Sequence, residues 1–235
     1  MHRGLAWNLG RVAVRRIPGL RSCVLLAWRG IGSLKFRAAY RDACARGDVR
    51  LHIGSGWTCH DGWLNTDILP TAPLFLDATR HFPVKDNSVR YIFCEHFLEH
   101  IPRHAAFLFI MESFRVLHPE GILRISTPDA EALAREYLAR SERVLLLLER
   151  NVKLGSKYAR YPLDILNGAF YEYSHVCLYD GEVLEQMLRS VGFQDITRYR
   201  VGQSRHSALS GIERHQVGSI EDEFTLVIEA KKPPL

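Results

Sequence analysis

The sequence predicts a doubly wound α/β domain with a mostly parallel, seven-stranded sheet, behind a basic helical arm. Two observations predict it. From Val49 onward, short apolar runs alternate with stretches of helical period, the pattern of a parallel sheet joined by crossovers. The first of those runs also enters a Gly-x-Gly turn, and a second run ending in Asp67 follows closely. Ligands of doubly wound sheets bind at the carboxyl ends of strands placed in this way. The size agrees: 235 residues suit one α/β domain with modest additions, and 47% hydrophobic with 24% charged residues is ordinary for a globular chain.

Residues 1–46 read as the arm and 47–235 as the domain. In the arm, Leu20, Cys23, Val24, Ala27, Trp28, Ile31 and Leu34 recur at helical spacing. Pro18 stands where a helix begins, and Gly30 and Gly32 weaken it locally. Strands are expected at Val49–Ile53, Trp63–Asp67, Leu74–Asp77, Val89–Cys94, Gly121–Ser126, Gln194–Val201 and Glu223–Ala230. A helix over Arg103–Leu117 presents Ala106, Phe107, Ile110, Met111, Phe114 and Leu117 on one face. Thr127-Pro128, a cap followed by proline at the first helical position, is expected to start another helix that runs to about Arg150. Residues 151–179 lack a clear period and read as a loop or lid, whose aromatic group Tyr158, Tyr161, Phe170, Tyr171 and Tyr173 reads as packing within the lid before stacking a sugar or ring. Asp180 caps a helix striped by Val183, Leu184, Met187, Leu188 and Val191, and Gly192 ends it.

Charge divides the chain. Of the net +5, residues 1–41 supply nine basic groups and no acid, which leaves 22 basic against 26 acidic groups, a net of −4, in the rest. A nucleic-acid groove on the domain is therefore not expected. The arm can pack on its own domain, pair with a second copy, or lie on an anionic membrane surface. Cys23, Cys44, Cys59, Cys94 and Cys177 are scattered and form no CxxC pair, against a disulfide framework or a zinc ribbon. No apolar run near the start is long enough to span a bilayer, and no signal-peptide pattern is evident. The expected compartment is the cytoplasm, at the inner face of the membrane where the arm holds it.

The chemistry concentrates in Leu51–Asp67. Gly54 and Gly56, around Ser55, let the backbone approach a ligand where a Cβ would clash. Asp67, closing the next strand, can take both hydroxyls of a ribose. Asp77, with Ala78, ends a further strand, where a carboxylate can accept an amino group of an adenine. Glu95 and His96 stand at the sheet's carboxyl edge. Only 13 residues separate Gly54 from Asp67, and a parallel crossover normally needs at least about 10–12, so the first crossover helix is expected to be vestigial or missing. The loop also lacks a third glycine, and its shortness argues against a dinucleotide pyrophosphate, which wants a proper helix N-terminus. His96, His100 and His104 repeat every four residues beside Glu95 and Glu99. The pattern is not HExxH and Pro102 breaks helical continuity, so strand-end polarity is the reading and no metal is expected.

Four segments carry a resemblance: LHIGSG…GWLNTD (51–67), DATRHFPVKDNSVRYIFCEHFLEHI (77–101), RVLHPEGILRISTPD (115–129) and HVCLYDGEVLEQMLRSVGF (175–193). In order and spacing they resemble the class I S-adenosylmethionine-dependent methyltransferases over about residues 49–230. The likeness is greatest to small methyltransferases linked to surface polysaccharide synthesis. This resemblance implies a Rossmann-like fold and S-adenosyl-L-methionine as cofactor. It also implies methyl transfer to a small-molecule or glycan acceptor such as a sugar hydroxyl. It implies that Gly54, Ser55 and Gly56 line the methionine part of the cofactor, that Asp67 holds the ribose, and that Asp77 with Ala78 meets the adenine. Glu95 and His96 would face the sulfonium. A hydroxyl acceptor must lose its proton, and histidine suits that near neutral pH. The candidates are His96 and His175, the second because related sequences carry a histidine at that place. Two alternatives stand beside this reading: a non-catalytic Rossmann-like interaction domain, since the glycine loop is incomplete, and, less favoured, a nucleotide-dependent oxidoreductase.

Overall fold

The structure, a computed structural model, describes residues 20–214 and 218–234, with side chains from Leu25 onward. The expected helix start at Pro18 lies outside the described residues. Helix α1 (Leu20–Arg46) leads into β1 (Arg50–Ile53), β2 (Leu64–Asp67), β3 (Leu74–Phe75) and β4 (Val89–Glu95), with no helix between these strands. Helix α2 (Arg103–Val116) joins β4 to β5 (Leu117–Pro128). Helices α3 (Ala130–Ala139), α4 (Glu142–Lys153), α5 (Asp164–Tyr171) and α6 (Gly181–Val191) follow, then β6 (Gln194–Tyr199) and β7 (Thr225–Lys231). The strand order is β3-β2-β1-β4-β5-β7-β6. All pairings are parallel except those of β7, which runs antiparallel to both neighbours. This is the mostly parallel seven-stranded sheet that the sequence predicts, without the first crossover helix.

Strand register explains the two faces of the sheet, because successive side chains alternate. Leu51 pairs with Leu64 and Ile92, Ile92 with Leu123, and Leu123 with Ala230. That apolar row is buried with Phe36 and Tyr40 of α1, Phe109 and Ile110 of α2, and Leu184 and Leu188 of α6. One residue along, His52 pairs with Asn65 and Phe93, Phe93 with Arg124, and Arg124 with Glu229. This second face is polar, and coil covers it: residues 54–63 and 200–214 bring Trp63, Leu209 and Ile212 against Phe93 and Ile122. Asn65 organises the shortened first crossover. Its amide oxygen accepts from His60 N at 2.9 Å and lies 3.1 Å from His52 Nδ1, while its amide nitrogen donates to the carbonyls of His60 and Trp63.

Several expectations change on folding. Helix α1 buries Phe36, Tyr40 and Ala43, whereas Ile31 and Leu34, in the expected stripe, are 56% and 68% exposed. A Cβ on Gly32 would lie 2.6 Å from Phe75, so the glycine lets the helix close onto β3. Helix α2 buries Ala106, Phe109, Ile110 and Val116 and leaves Phe107 and Met111 exposed. Pro128 stays in β5, and Asp129 is the cap that starts α3, accepting from Glu131 N and Ala132 N. The single helix expected to Arg150 breaks at Arg140, which adopts φ 49 and separates α3 from α4. The 151–179 segment is not coil throughout: α4 runs on to Lys153 and α5 occupies Asp164–Tyr171. Helices α3, α4 and α5 form a cap with its own apolar cluster, in which Leu133, Val144, Leu147, Leu148 and Ile165 meet Phe224. Asp180 and Gly192 act as expected: Asp180 Oδ1 accepts from Val183 N at 2.8 Å, and Gly192 ends α6 at φ 113. No helix of the described residues is long and apolar enough to cross a membrane.

Candidate active site

Strand order reverses between β1 and β4. β2 and β3 extend the sheet to one side of β1, and β5 extends it to the other side of β4. Such a switch point opens a crevice at the carboxyl ends of the two strands. A cleft of about 420 Å³ lies there. Gly54, Ser55 and Gly56 after β1, Glu95 at the end of β4, and His96 and His100 after it form its base. The cap contributes Leu133, Leu147, Arg150, Asn151 and Ile165, and Tyr173, His175 and Arg214 complete the walls.

The two glycines do different things. A Cβ on Gly54 (φ +65) would press onto the Phe97 ring at 2.9 Å, whereas one on Gly56 (φ +55) would stand in open space. Gly54 therefore keeps the strand end against the core, and Gly56 leaves room for a ligand. The Ser55 hydroxyl is buried on the same wall and has no hydrogen-bond partner among the described residues. A ligand can satisfy it. Asp67 Oδ2 accepts from Gly56 N at 3.0 Å and Oδ1 from Leu69 N at 2.9 Å, which sets the carboxylate against the glycine turn.

Asp77 and Ala78 are not brought into this cleft. β3 stops at Phe75, short of the strand end expected at Asp77. Asp77 Oδ1 accepts from Thr79 N and Oγ1 at 3.1 and 2.6 Å, and Oδ2 pairs with Arg80 at 2.9 Å, so the side chain forms a local turn. Ala78 is buried in the main apolar cluster.

At the end of β4 the buried Glu95 accepts from Arg214 N and Nε, each at 3.0 Å. His96 follows at φ +49, a conformation uncommon outside glycine. That turn sets His96 Nδ1 2.8 Å from Oε1 of Glu99, which lies in a single 3₁₀ turn at Leu98–His100. Glu99 is fully buried, and its second oxygen accepts from Thr127 Oγ1 at 3.0 Å. Burial opposes its charge, but the hydrogen bond and charge of His96 outweigh burial and hold the carboxyl below the usual range. The Glu99 carbonyl accepts from Val176 N at 2.8 Å and Cys177 N at 3.3 Å. This ties the returning lid to the turn after β4 and sets the His175 ring 4.9 Å from that of His100. His175 Nδ1 bonds the Ala169 carbonyl at 2.7 Å, and burial keeps its pKa below that of a free imidazole.

The cleft thus gathers Gly54, Ser55, Gly56, Glu95, His96 and His175, with Asp67 against its edge. Sequence reasoning missed Arg150, Asn151 and Arg214, and it reached Tyr173 only within the aromatic group of the lid and Glu99 and His100 only as strand-end polarity. Arg214 meets Glu95 across 119 positions of chain, so no local signal announces it. Its placement depends on Arg124, whose Nε donates to Glu213 Oε1 at 2.6 Å and whose Nη1 donates to Glu229 Oε1 at 2.5 Å. Glu213 also accepts from Gly202 N and Ser126 Oγ, which folds residues 200–214 back over the polar face.

In three dimensions the chain is similar to a SAM-dependent methyltransferase from Archaeoglobus fulgidus, at 17% identity and TM-score 0.49, over 84% of this chain and 96% of that one. It is similar to a possible histamine N-methyltransferase from Thermotoga maritima, at 18% identity and TM-score 0.47, over 84% and 97%. Phosphoethanolamine N-methyltransferase 2 of Haemonchus contortus, solved with S-adenosyl-L-methionine, aligns at 15% identity and TM-score 0.47 over 80% of this chain and 49% of its own. No curated protein matches the sequence. Residues 69–125, from just after β2 into β5, match the family model of the methyltransferase domain, so this stretch of a Rossmann-like sheet carries a methyltransferase-domain signature.

Proposed function

We propose that the chain is an S-adenosyl-L-methionine-dependent methyltransferase acting on a hydroxyl of a small or glycan acceptor. The observation that carries this reading is the cleft at the β1–β4 switch, where Gly56 leaves open space beside the Asp67 carboxylate. The match of residues 69–125 to a methyltransferase domain supports it. The residues present fit the cofactor. The buried Ser55 hydroxyl lacks a partner, and Asp67 keeps lone pairs for ribose hydroxyls beyond its two backbone bonds. Bound there, the cofactor supplies a methyl group already activated on a sulfonium. The protein's work is then alignment. Gly54–Gly56 and Asp67 orient the donor, and Leu133, Leu147 and Ile165 of the cap exclude water around the acceptor. His96, fixed by Glu99 through Nδ1, takes the hydroxyl proton as the oxygen attacks, and His175 lines the same space. Glu95, committed to Arg214, shapes the wall.

The outer side of α1 exposes Lys35, Arg37 and Arg41 beside Ile31 and Leu34. That side suits an anionic membrane surface carrying a glycolipid precursor, at the inner face of the membrane. Calorimetric titration of the intact chain with S-adenosylhomocysteine tests the enzyme reading. One site per chain is expected, weakened about tenfold or more in Asp67→Ala through loss of charge-assisted hydrogen bonds. A folded chain that takes up none of it returns the protein to the non-catalytic scaffold.

A further inference from the structure

Folding changes which histidines meet. His104, the third member of the four-residue repeat, lies exposed at the start of α2. The ring beside His100 is instead His175, delivered by the returning lid. One ligand atom from each of Glu99, His100 and His175 lies within 4.8 Å of the others. Donors around a tetrahedral metal at about 2.0–2.2 Å stand roughly 3.4 Å apart, so shifts of about an ångström at the side-chain tips close the set.

Three features mark the cluster as a built site. Backbone carbonyls hold both imidazoles through Nδ1: Ala169 for His175 at 2.7 Å and Ser174 for His100 at 3.4 Å. A ring that donates through Nδ1 carries its lone pair on Nε2, the arrangement that second-sphere carbonyls give to metal-bound histidines. Glu99 is a carboxylate already steadied from outside by His96 and Thr127, as ligating carboxylates are. The segment that presents His175 also carries strain, with Tyr173 and Ser174 at φ +58 and +67. Backbone strain of this kind is held only where surrounding structure enforces it, and it gathers at functional sites.

We propose that Glu99, His100 and His175 bind one divalent transition metal, with its remaining positions open to the cleft. Two imidazoles and a carboxylate are the protein donors of one type of catalytic zinc site and of non-haem iron(II) centres. The consequence rests on the methyltransferase reading: vicinal hydroxyls of a sugar would occupy the open positions, beside His96.

The test uses the full, untagged chain after chelation, titrated with Zn²⁺, Mn²⁺ and Co²⁺ one at a time. Heat is the readout for all three, and visible absorption is a second readout for Co²⁺. At least one metal is expected to fill a single site, weakened by more than about 100-fold in His100→Ala and in His175→Ala. His104→Ala is expected to bind as the parent does. Circular dichroism checks that each variant is folded, and His100→Gln and His175→Gln replace any alanine variant that is not. No saturable binding of the three metals by the parent chain, or binding indifferent to both histidine substitutions, overturns the site. S-adenosylhomocysteine is titrated separately on the same proteins. Metal binding without nucleoside binding removes the methyltransferase reading and leaves the metal, and the converse removes the metal alone.

Discussion

His52 shows what enclosure does to one side chain. Its ring sits 5.0 Å from that of Phe93 and 4.8 Å from that of His60, and burial strips the hydration that would support a cation. Its pKa falls to about 3. In an unfolded chain a histidine protonates near pH 6.5. Between those values the unfolded chain binds a proton that the folded chain refuses, so stability falls as pH drops through that window. One proton sets a limit of about 1.4 kcal/mol per pH unit. Urea unfolding at stepped pH is expected to give a shallower dependence, by up to that slope, in His52→Phe. Equal slopes in the two proteins would place the acid sensitivity elsewhere. The residue scale also shows where sequence reading stops. Asp67 and Asp77 share a type and an expected place at a strand end. One carboxylate reaches across to Gly56, and the other closes a turn on Thr79. Thr79 and Arg80 beside Asp77 make its turn a local one, whereas only the pairing of β1 with β2 brings Asp67 to Gly56.

Helix α1 was legible as a helix but not by the face it buries. Its apolar residues fall on more than one side, so period alone marks several candidate stripes. Contact with β3 selects the side of Gly32, Phe36 and Tyr40, because only a glycine fits at the Phe75 crossing. Tyr40 also spans to Ser88 Oγ at 2.9 Å and accepts from Lys85 N at 3.0 Å. Phe36→Ala is therefore expected to cost about 3–5 kcal/mol in chemical denaturation. Leu34→Ala, on the solvent side, is expected to stay within about 0.5 kcal/mol. Similar losses for both would mean that α1 packs through a different face. The cap helices follow the same logic. Val144–Leu148 is apolar at every position, so its pattern cannot say that Val144, Leu147 and Leu148 turn inward while Leu145 and Leu146 face out. The cluster around Ile165 and Phe224 makes that choice.

Across the whole molecule, the polar face of the sheet links the fold to the cleft. Arg124 is completely buried and pairs with both Glu213 and Glu229, which lie far along the chain. Removing one member of such a set leaves uncompensated buried charge, at a cost of about 3–5 kcal/mol. Arg124→Met is expected to lose that much in denaturant unfolding. Faster amide exchange through residues 200–214 and weaker S-adenosylhomocysteine binding are expected with it, since Arg214 is anchored through the same loop. A loss under about 1 kcal/mol would show that desolvation already cancels the attraction.

Local rules reach far in this chain. Alternating apolar period, the Gly54–Gly56 turn, the Asp180 cap and the Gly192 stop each act within a few residues. Strand sequence, sheet class and the base of the cleft could be read from them. Long-range packing settled the rest: the buried side of α1, the pairing of His100 with His175, the approach of Asp67 to Gly56, and the arrival of Arg214 at Glu95. A side chain's desolvation and its hydrogen-bond partner depend on what lies across the fold, and for Glu95 that partner is 119 residues away.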